Sequence, residues 1–339
     1  MNRKTLIASS VAAALAVPAM AQAGELNFDF YGSARVQVES VRPDNREHLD
    51  SYTGVRDAYS NIGFNADYPL MEGLTLIGQL ELPLDLANKA VQDPWDQEQD
   101  VRVAQIGVQG EMGTFLYGQM WLPYYNAIAA PVDMFSTYYS GFATFTTFRE
   151  KDSVSYYSPD LNGFSLAFAW SDGNGFNDND DDRIQLTGSY SFGNTTIAVG
   201  MDDFRGDQNV TLAGLSLAHT MGNLYLGAKL ERFYSDINDS AVYGNDGDMA
   251  MNVYAGYTLG KNTFKLMVAE VENYGESIVH VGVDHQFNPS LRFFAEYYFE
   301  QETAAITEKR GGRADGYGVG SGQDIRGGQV FAAGMRFDF

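Results

Sequence analysis

Apolar and polar residues alternate along most of this chain. Between Leu26 and Val38 the apolar or small residues hold the even positions and mostly polar residues hold the odd ones. A period of two predicts a β-strand with one apolar and one polar face, and this run is longer than the usual strand of about five or six residues. The same alternation recurs down the chain, for example at 184–192, 251–259, 291–299 and 331–339.

The connections between these runs fall into two classes that strictly alternate. Seven are short turn sequences rich in Gly, Asn and Pro, and eight are longer segments, most of them polar. Together they separate sixteen predicted strands and place both chain ends on the side of the short turns. The phase of the strand near residues 210–219 is not fixed by its residues. The long segments lie around residues 41–55, 85–99, 121–148, 172–182, 204–209, 235–248, 273–276 and 302–328.

The third long segment, residues 121–148, differs from all the others. It has no regular alternation, is rich in aromatic residues and holds a single acid, Asp133. Loops of this length are functional or disordered, and so much aromatic surface argues against disorder. We therefore predict a loop that folds inward and lines a hollow interior. A helical hairpin packed in an ordinary core is the alternative.

The first residues have the pattern of a secretory signal peptide. Arg3 and Lys4 precede a short apolar run that ends in an Ala-Gln-Ala sequence at 21–23. We predict that residues 1–23 are removed and that residues 24–339 form one β-barrel domain. The protein is therefore expected to be exported.

Composition excludes several classes of protein. The formal net charge is −22 at pH 7, whereas a nucleic-acid-binding protein needs a basic surface, so no nucleic-acid partner is expected. The chain has no cysteine, which excludes disulfides and thiolate metal sites. The acidic segment 172–182 resembles half of a calcium loop, but Arg183 stands where a ligating Glu is needed. We therefore predict no metal and no cofactor.

These patterns together predict an all-β fold, a 16-stranded antiparallel transmembrane β-barrel with short periplasmic turns, long outer loops and the third loop folded into the lumen. A closed barrel is the only way in which strands cross a membrane without unpaired backbone groups. A soluble β-sandwich would also alternate, but it would not explain polar residues on one face of nearly every strand. A barrel of this size leaves an aqueous channel.

Several stretches of the chain resemble the trimeric porins of Gram-negative outer membranes, the general-diffusion porin family. They are YSNIGF at 59–64, GLTLIGQLE at 73–81, RVAQIGVQG at 102–110, GTFLYG at 113–118, and GFAT at 141–144 leading to VSYYSP at 154–159. The resemblance implies an outer-membrane homotrimer in contact with lipid and lipopolysaccharide. It also implies a constriction at which acids on the third loop face arginines on the wall.

The resemblance implies which residues form this constriction. Asp133 matches the acidic position of the loop, and Arg102 and Arg149 match basic positions of the wall. Arg35 and Lys151 fall on the predicted lumen phase of their strands, whereas the alternation after Arg102 directs its side chain outward unless a bulge intervenes. The loop also contributes aromatic residues: Tyr124, Tyr125, Phe135, Tyr138 and Tyr139.

The resemblance implies a passive, water-filled channel for ions and small hydrophilic solutes. The alternative is a substrate-preferring channel, because the aromatic loop could stack rings or sugars. An enzyme is not expected, since none of the four histidines has a neighbouring serine or carboxylate pattern typical of a catalytic triad.

Overall fold

The computed structural model describes residues 25–44, 50–95, 99–172, 182–204, 210–236, 244–273, 275–302, 304–306 and 326–339. The predicted signal peptide and most of the calcium-like segment lie outside these residues. None of the helices in the described part is long and apolar enough to cross a membrane.

The described residues form seventeen antiparallel strands in a single sheet. Their order along the chain is also their order around the sheet, because β1 pairs with both β2 and β3 and each strand from β3 onward pairs with the next. The strands are β1 (Asn27–Pro43), β2 (Tyr52–Asp57), β3 (Ser60–Met71), β4 (Leu74–Leu84), β5 (Val103–Gly110), β6 (Gly113–Trp121), β7 (Arg149–Tyr157), β8 (Phe164–Ser171), β9 (Arg183–Phe192), β10 (Thr195–Phe204), β11 (Val210–Met221), β12 (Leu224–Tyr234), β13 (Met249–Leu259), β14 (Asn262–Val271), β15 (Glu276–Gln286), β16 (Leu291–Glu302) and β17 (Arg326–Asp338).

The sheet closes on itself through β1. One edge of β1 pairs with β17, from Ser33 opposite Asp338 to Pro43 opposite Gly328. Its other edge pairs with both β3 and β2. The last residue, Phe339, continues the closure through two backbone hydrogen bonds to Gly32, at 2.9 and 3.0 Å. The predicted closed barrel is thereby confirmed.

The seventeenth segment comes from an interruption and not from an additional barrel strand. β2 and β3 lie end to end along β1 and are separated only by Ala58 and Tyr59. Tyr59 has φ 66°, a left-handed conformation that a strand cannot continue through. The two segments therefore make one interrupted strand of a 16-strand barrel, as predicted.

The alternation in the sequence matches the two faces of the wall. Outward side chains such as Val253 and Phe264 are 59% and 50% exposed, whereas their neighbours Asn252 and Lys265 are buried inside the barrel. An apolar outer face and a polar inner face are what a lipid bilayer and an aqueous lumen select.

Candidate pore constriction

The third long connection joins β6 to β7 and lies inside the barrel. We call residues 122–148 loop L3. It begins with a single π-helical turn, Tyr125–Ala129, and a 3₁₀ turn, Ala130–Val132, and later forms a second 3₁₀ turn, Tyr139–Phe142. Side chains from both parts of the loop enter one buried apolar cluster with the lumen side of the wall. The prediction that this loop folds into the lumen is confirmed.

The middle of L3 is held by a buried carboxylate on β16. Glu296 accepts hydrogen bonds from the backbone N–H groups of Ser136 and Thr137, at 2.8 and 3.0 Å, and from the Thr137 hydroxyl at 2.6 Å. Lys265 Nζ lies 3.0 Å and His280 Nε2 3.2 Å from the same carboxylate. A buried charge needs such partners, because desolvation alone would be prohibitive.

A second buried carboxylate, on β12, holds the following part of the loop. Glu231 accepts hydrogen bonds from the Thr144 hydroxyl at 2.7 Å and from Phe145 N–H at 3.2 Å. Lys229 Nζ lies 2.7 Å from Glu231 and donates to the carbonyl of Ala143 at 2.5 Å. Both charged side chains are fully buried.

Further acids complete the attachment. On β1, Glu39 accepts a hydrogen bond from the Tyr139 hydroxyl at 2.6 Å. On β10, Asp202 accepts one from the Thr146 hydroxyl at 2.8 Å and is paired with Arg183, whose Nε lies 2.7 Å away. Lumen-facing acids on several strands thus fix L3 in place, and Asp284 on β15 also accepts a hydrogen bond from the Ser136 hydroxyl, at 3.1 Å.

The other side of L3 carries a partly exposed aromatic face. The Trp121 and Tyr125 rings stack with centroids 5.0 Å apart, and Phe148 lies 4.7 Å from Tyr125. The guanidinium carbon of Arg149 lies 4.6 Å from the centre of the Trp121 ring and that of Arg102 lies 5.8 Å from it. Cation–π contacts therefore join the two arginines to Trp121, the last residue of β6, on which Tyr125 of L3 stacks.

Arg102 points into the lumen. Its Nε lies 2.6 Å from Glu81 Oε1, and its guanidinium lies 5.5 Å from the centre of the Tyr59 ring. Arg102 and the adjacent Val103 are both buried, at 7% and 1% exposure. The alternation is broken between them, so extending the β5 pattern back to residue 102 gives the wrong face.

Arg149 joins the base of the second long loop to the constriction. Its Nη2 lies 3.9 Å from an Asp93 carboxylate oxygen and donates to Gln99 Oε1 at 3.1 Å. In the same loop, Trp95 packs on Phe142 of L3 with ring centroids 4.8 Å apart. The second loop therefore also contributes side chains to the lumen.

Lys151 does not share this environment. It is exposed and stands next to Asp152, which has φ 52°. The register of β6 against β7 shifts in this region, between the partners of Gly118 and Met120. The inward phase counted from Val154 and Tyr156 therefore does not extend across this shift to Lys151.

Arg35 belongs to a row of arginines across three neighbouring strands. It is the register partner of Arg336, which is also the partner of Arg292. Like charges directly opposite each other are destabilising, and Asp338 compensates in part, since Arg336 Nε lies 2.7 and 2.9 Å from its two oxygens. Arg35 Nε donates to the hydroxyl of Ser33 at 2.7 Å.

Asp133 is held within L3. Its carboxylate accepts hydrogen bonds from the Tyr125 hydroxyl, at 2.8 Å, and from Ser140. No ion pair joins it to a lysine or arginine of the described chain. Burial raises the pKa of this carboxyl, against the two hydrogen bonds, which favour the ionised form.

The five predicted loop aromatics divide between the two sides of L3. Tyr124 and Tyr139 are fully buried and pack on the wall, so they attach the loop. Tyr125, Phe135 and Tyr138 are partly exposed. Phe135 stacks on His280 with centroids 3.5 Å apart, and Tyr138 meets Tyr59 edge-on at 5.0 Å.

Trp121, Phe148 and the buried acids were not among the predicted site residues. Glu39, Glu231 and Glu296 do fall on the lumen phase of their strands, and the pattern shows that much. The pattern does not show that each accepts hydrogen bonds from L3, because a lumen-facing acid is ordinarily assumed to be hydrated.

Comparisons with known proteins agree with the barrel architecture and identify related proteins. A sequence profile of the Gram-negative porin family matches residues 8–305. A sequence search of curated proteins finds no significant match. Three similar solved structures have TM-scores of 0.69, 0.68 and 0.61 and share 17%, 18% and 18% of residues with this chain. They are an anion-selective porin from Comamonas acidovorans, OmpF of Salmonella typhi in complex with daunomycin, and OmpT of Vibrio cholerae in its trimer form.

These structures match the barrel over nearly its whole length. The alignments cover 93%, 92% and 93% of this chain and 100%, 97% and 99% of the three porins, in the same order. At such low identity the likeness establishes the fold.

A closed 16-strand barrel with a loop fixed in its lumen defines a channel-forming protein of the outer membrane. The chain belongs to the Gram-negative porin family, because the family profile covers most of its length. It is a passive channel for small solutes, and its family and fold point to a channel and not to an enzyme. The comparisons do not favour the alternative of a substrate-preferring channel.

Proposed function

We propose that solutes cross the narrowest part of this channel between the aromatic face of L3 and the arginine-bearing wall. The observation that carries the proposal is the contact of Arg149 with Trp121, at 4.6 Å from guanidinium carbon to ring centre. Both side chains remain partly exposed. Trp121 and Arg149 are register partners at the ends of the adjacent strands β6 and β7, so the contact lies where the aromatic side of L3 joins the wall, whereas the other side of L3 is packed.

Electrostatics at this point favour anions over cations. Arg102 and Arg149 approach the passage from the wall, and Arg35 continues the basic surface within the lumen. The opposing acid, Asp133, lies behind Tyr125 and is bonded to loop hydroxyls. The name of the similar Comamonas porin, which is anion-selective, supports the same assignment.

The constriction is tested by changing the aromatic face alone. Trp121→Ala removes the ring that both arginines contact, and we expect a larger unit conductance in planar lipid bilayers. Trp121→Phe keeps an aromatic ring and serves as the matched control, with a conductance close to that of the wild type. An unchanged conductance in Trp121→Ala would show that the narrowest point lies elsewhere.

We also propose that the protein is a homotrimer embedded in outer-membrane lipid and lipopolysaccharide. Support comes from the trimer form of the similar Vibrio cholerae OmpT and from the apolar outer face of the barrel. Native mass spectrometry of the protein extracted from outer membranes should give three chains with bound lipopolysaccharide. A monomer that retains full conductance would refute the trimer.

Processing is a separate proposal. The basic residues, apolar run and Ala-Gln-Ala sequence at the N-terminus support removal of residues 1–23. Intact-mass measurement of the protein from outer membranes should show a chain that begins at Gly24. A chain that retains Met1 would contradict this.

A further inference from the structure

Three glycines lie on three consecutive strands of the lumen wall behind L3, two of them side by side and the third, Gly227, opposite Ala218. They are Gly200 on β10, Gly214 on β11 and Gly227 on β12, and Gly200 is the register partner of Gly214. Glycine weakens a strand, because it has no side chain to pack and loses more backbone freedom on folding than any other residue. In a strand interior it commonly marks a place where another part of the chain approaches closely.

The first turn of L3 is what approaches these glycines. A Cβ on Gly214 would lie only 2.2 Å from the hydroxyl oxygen of Tyr124 and 2.8 Å from Ile128 Cγ2. On Gly200 a Cβ would lie 3.0 Å from side-chain carbons of the same two residues. Tyr124 and Ile128 are completely buried, so neither has free space into which it could withdraw.

The third glycine contacts the backbone of the turn that follows. A Cβ on Gly227 would lie 2.5 Å from the carbonyl oxygen of Pro131. The Tyr225 hydroxyl donates to the same carbonyl at 2.8 Å, and Ser216 donates to the carbonyl of Ala127 at 2.6 Å. Hydrogen bonds thus pull the turn onto the wall at the place where missing side chains allow it to come close.

The two faces of this turn have opposite roles. Tyr124 is buried against the glycines, whereas the next residue, Tyr125, belongs to the exposed aromatic face with Trp121 and Phe148. Adjacent residues therefore connect the wall behind L3 to the passage in front of it. A movement of the turn away from the wall therefore also displaces Tyr125 and the Trp121 ring on which it stacks.

We propose that Gly200, Gly214 and Gly227 form a glycine seat that sets how deeply L3 sits, and so determines the bore of the channel from behind the loop. The proposal rests on the proposed constriction between L3 and the arginine-bearing wall. It makes these glycines positioning residues, since none of them contacts the passing solute. Pore size then depends on residues that carry no charge and do not line the passage.

The direct test adds one methyl group behind the loop. Gly214→Ala should lower the unit conductance by roughly a factor of two, because a close-packed contact cannot absorb a Cβ without moving its neighbours. The largest neutral polyethylene glycol that enters the pore should also become smaller. Gly200→Ala, where the closest approach is 3.0 Å instead of 2.2 Å, should show the same change to a smaller extent.

A compensating change distinguishes a displaced loop from a damaged barrel. Tyr124→Leu removes the hydroxyl oxygen and Cζ of Tyr124, the two atoms of that side chain closest to a Cβ on Gly214. The double variant with Gly214→Ala should therefore recover conductance toward that of Tyr124→Leu alone. General damage to the barrel would not be repaired by a second substitution.

Gly78→Ala is the matched control. Gly78 lies on β4, and its Cβ would come no closer than 3.7 Å to a neighbouring atom, the carbonyl oxygen of Gln105. We expect wild-type conductance from this variant. Heat-modifiable electrophoretic mobility checks that every variant is folded, and Gly200→Ala decides the question if Gly214→Ala does not fold.

The outcomes separate the seat from the constriction itself. If Gly214→Ala folds and keeps the wild-type conductance and size limit, the glycine seat is overturned. The seat is also overturned if Gly78→Ala lowers the conductance as much as Gly214→Ala does. If Trp121→Ala alters conductance in that case, the constriction stands without the seat. If neither variant alters it, L3 does not form the constriction.

Discussion

The lumen wall has two regions that differ in what they contact. The covered region, from β9 to β16, is overlaid by L3 and is built of glycines, apolar side chains and buried acids. The open region, from β3 to β7, faces the passage with arginine, glutamine and glutamate side chains. Each region contains a close acid–base pair: Glu231–Lys229 at 2.7 Å in the first and Glu81–Arg102 at 2.6 Å in the second.

The comparison shows that lumen-facing acids do not all have the same role. Glu231 and Glu296 are neutralised by buried cations and accept hydrogen bonds from the backbone of L3. They therefore contribute little to the electrostatic potential along the path of a passing ion. Glu81 stands beside an arginine that contacts the aromatic face. A formal net charge of −22 therefore says little about which ions the narrowest part favours.

The largest expected effect is the loss of an anchor in the covered region. Glu231→Gln leaves Lys229 fully buried without its counter-ion. Breaking a buried pair by removing one partner costs about 3–5 kcal/mol of unfolding free energy. Urea unfolding of the protein in detergent micelles, followed by tryptophan fluorescence, measures this change.

Glu81→Gln is the matched variant in the open region. Arg102 keeps its contacts with Tyr59 and Trp121, so we expect a smaller loss of about 1.5–3 kcal/mol, which is typical of a hydrogen bond to a charged group. Equal losses in the two variants would mean that L3 does not shield the covered region from water.

The covered region is also where the sequence is hardest to interpret. Most of the barrel could be predicted, because lipid outside and water inside impose alternation on every strand. The phase of β11 was not evident because Leu212, which faces the lumen, is apolar and completely buried against L3, while Leu215 and Leu217 face outward. A strand that is apolar on both faces loses its period of two.

The constriction was predicted less completely, for a related reason. The inward loop follows from the pattern. The candidate arginines rest on different grounds: Arg35 on strand phase, and Arg102 and Arg149 on the resemblance, since the alternation alone directs Arg102 outward. Which side of L3 each aromatic faces depends on the π-helical turn Tyr125–Ala129, which has no signature in the sequence. Tyr124 and Tyr125 are adjacent and yet lie on opposite sides of the loop.

The second prediction concerns ion preference in the open region. Arg149→Gln should move the reversal potential under a salt gradient toward cations. A unit charge about 4 Å from an ion is worth about 1 kcal/mol in a water-like environment, or roughly a fivefold change in the permeability ratio. Planar bilayers with a KCl gradient measure the shift.

Lys261→Gln is the control, since Lys261 is exposed in the short turn between β13 and β14. In 1 M salt we expect no shift from this variant, because charges more than about 3 Å away are screened. A shift in reversal potential as large as that of Arg149→Gln would assign ion selectivity to charges at the ends of the barrel and not to the constriction.

The third prediction uses salt to separate the mouth from the lumen. Several acids of the second and fourth long loops lie outside the described residues, but Asp100 is described and exposed. Asp93 is instead buried beside Arg149. The Debye length is about 10 Å in 0.1 M salt and about 3 Å in 1 M salt. The outer acids should therefore give a cation preference in 0.1 M salt that weakens by 1 M, where the arginines at the constriction dominate.

Asp100→Asn should reduce the cation preference in 0.1 M salt and leave the reversal potential in 1 M salt unchanged. Arg149→Gln should act at both concentrations, since Arg149 lies beside the passage. A preference that does not vary with salt would mean that the outer acids have no part in it.

The smallest expected effect concerns Asp133, the acid of L3. Asp133→Asn should move the reversal potential slightly toward anions at neutral pH, because the carboxylate is already shielded by Tyr125 and Ser140.

Burial raises the pKa of this carboxyl above its ordinary value of 3.8. As the pH falls, Asp133 therefore becomes neutral while exposed carboxylates are still ionised, and the wild-type channel should come to match Asp133→Asn. Reversal potentials of both channels, measured in 1 M salt from pH 8 downward, test this. A difference that persists to the pH at which exposed aspartates are protonated, about 3.9, would show that the carboxylate is hydrated and faces the passage directly.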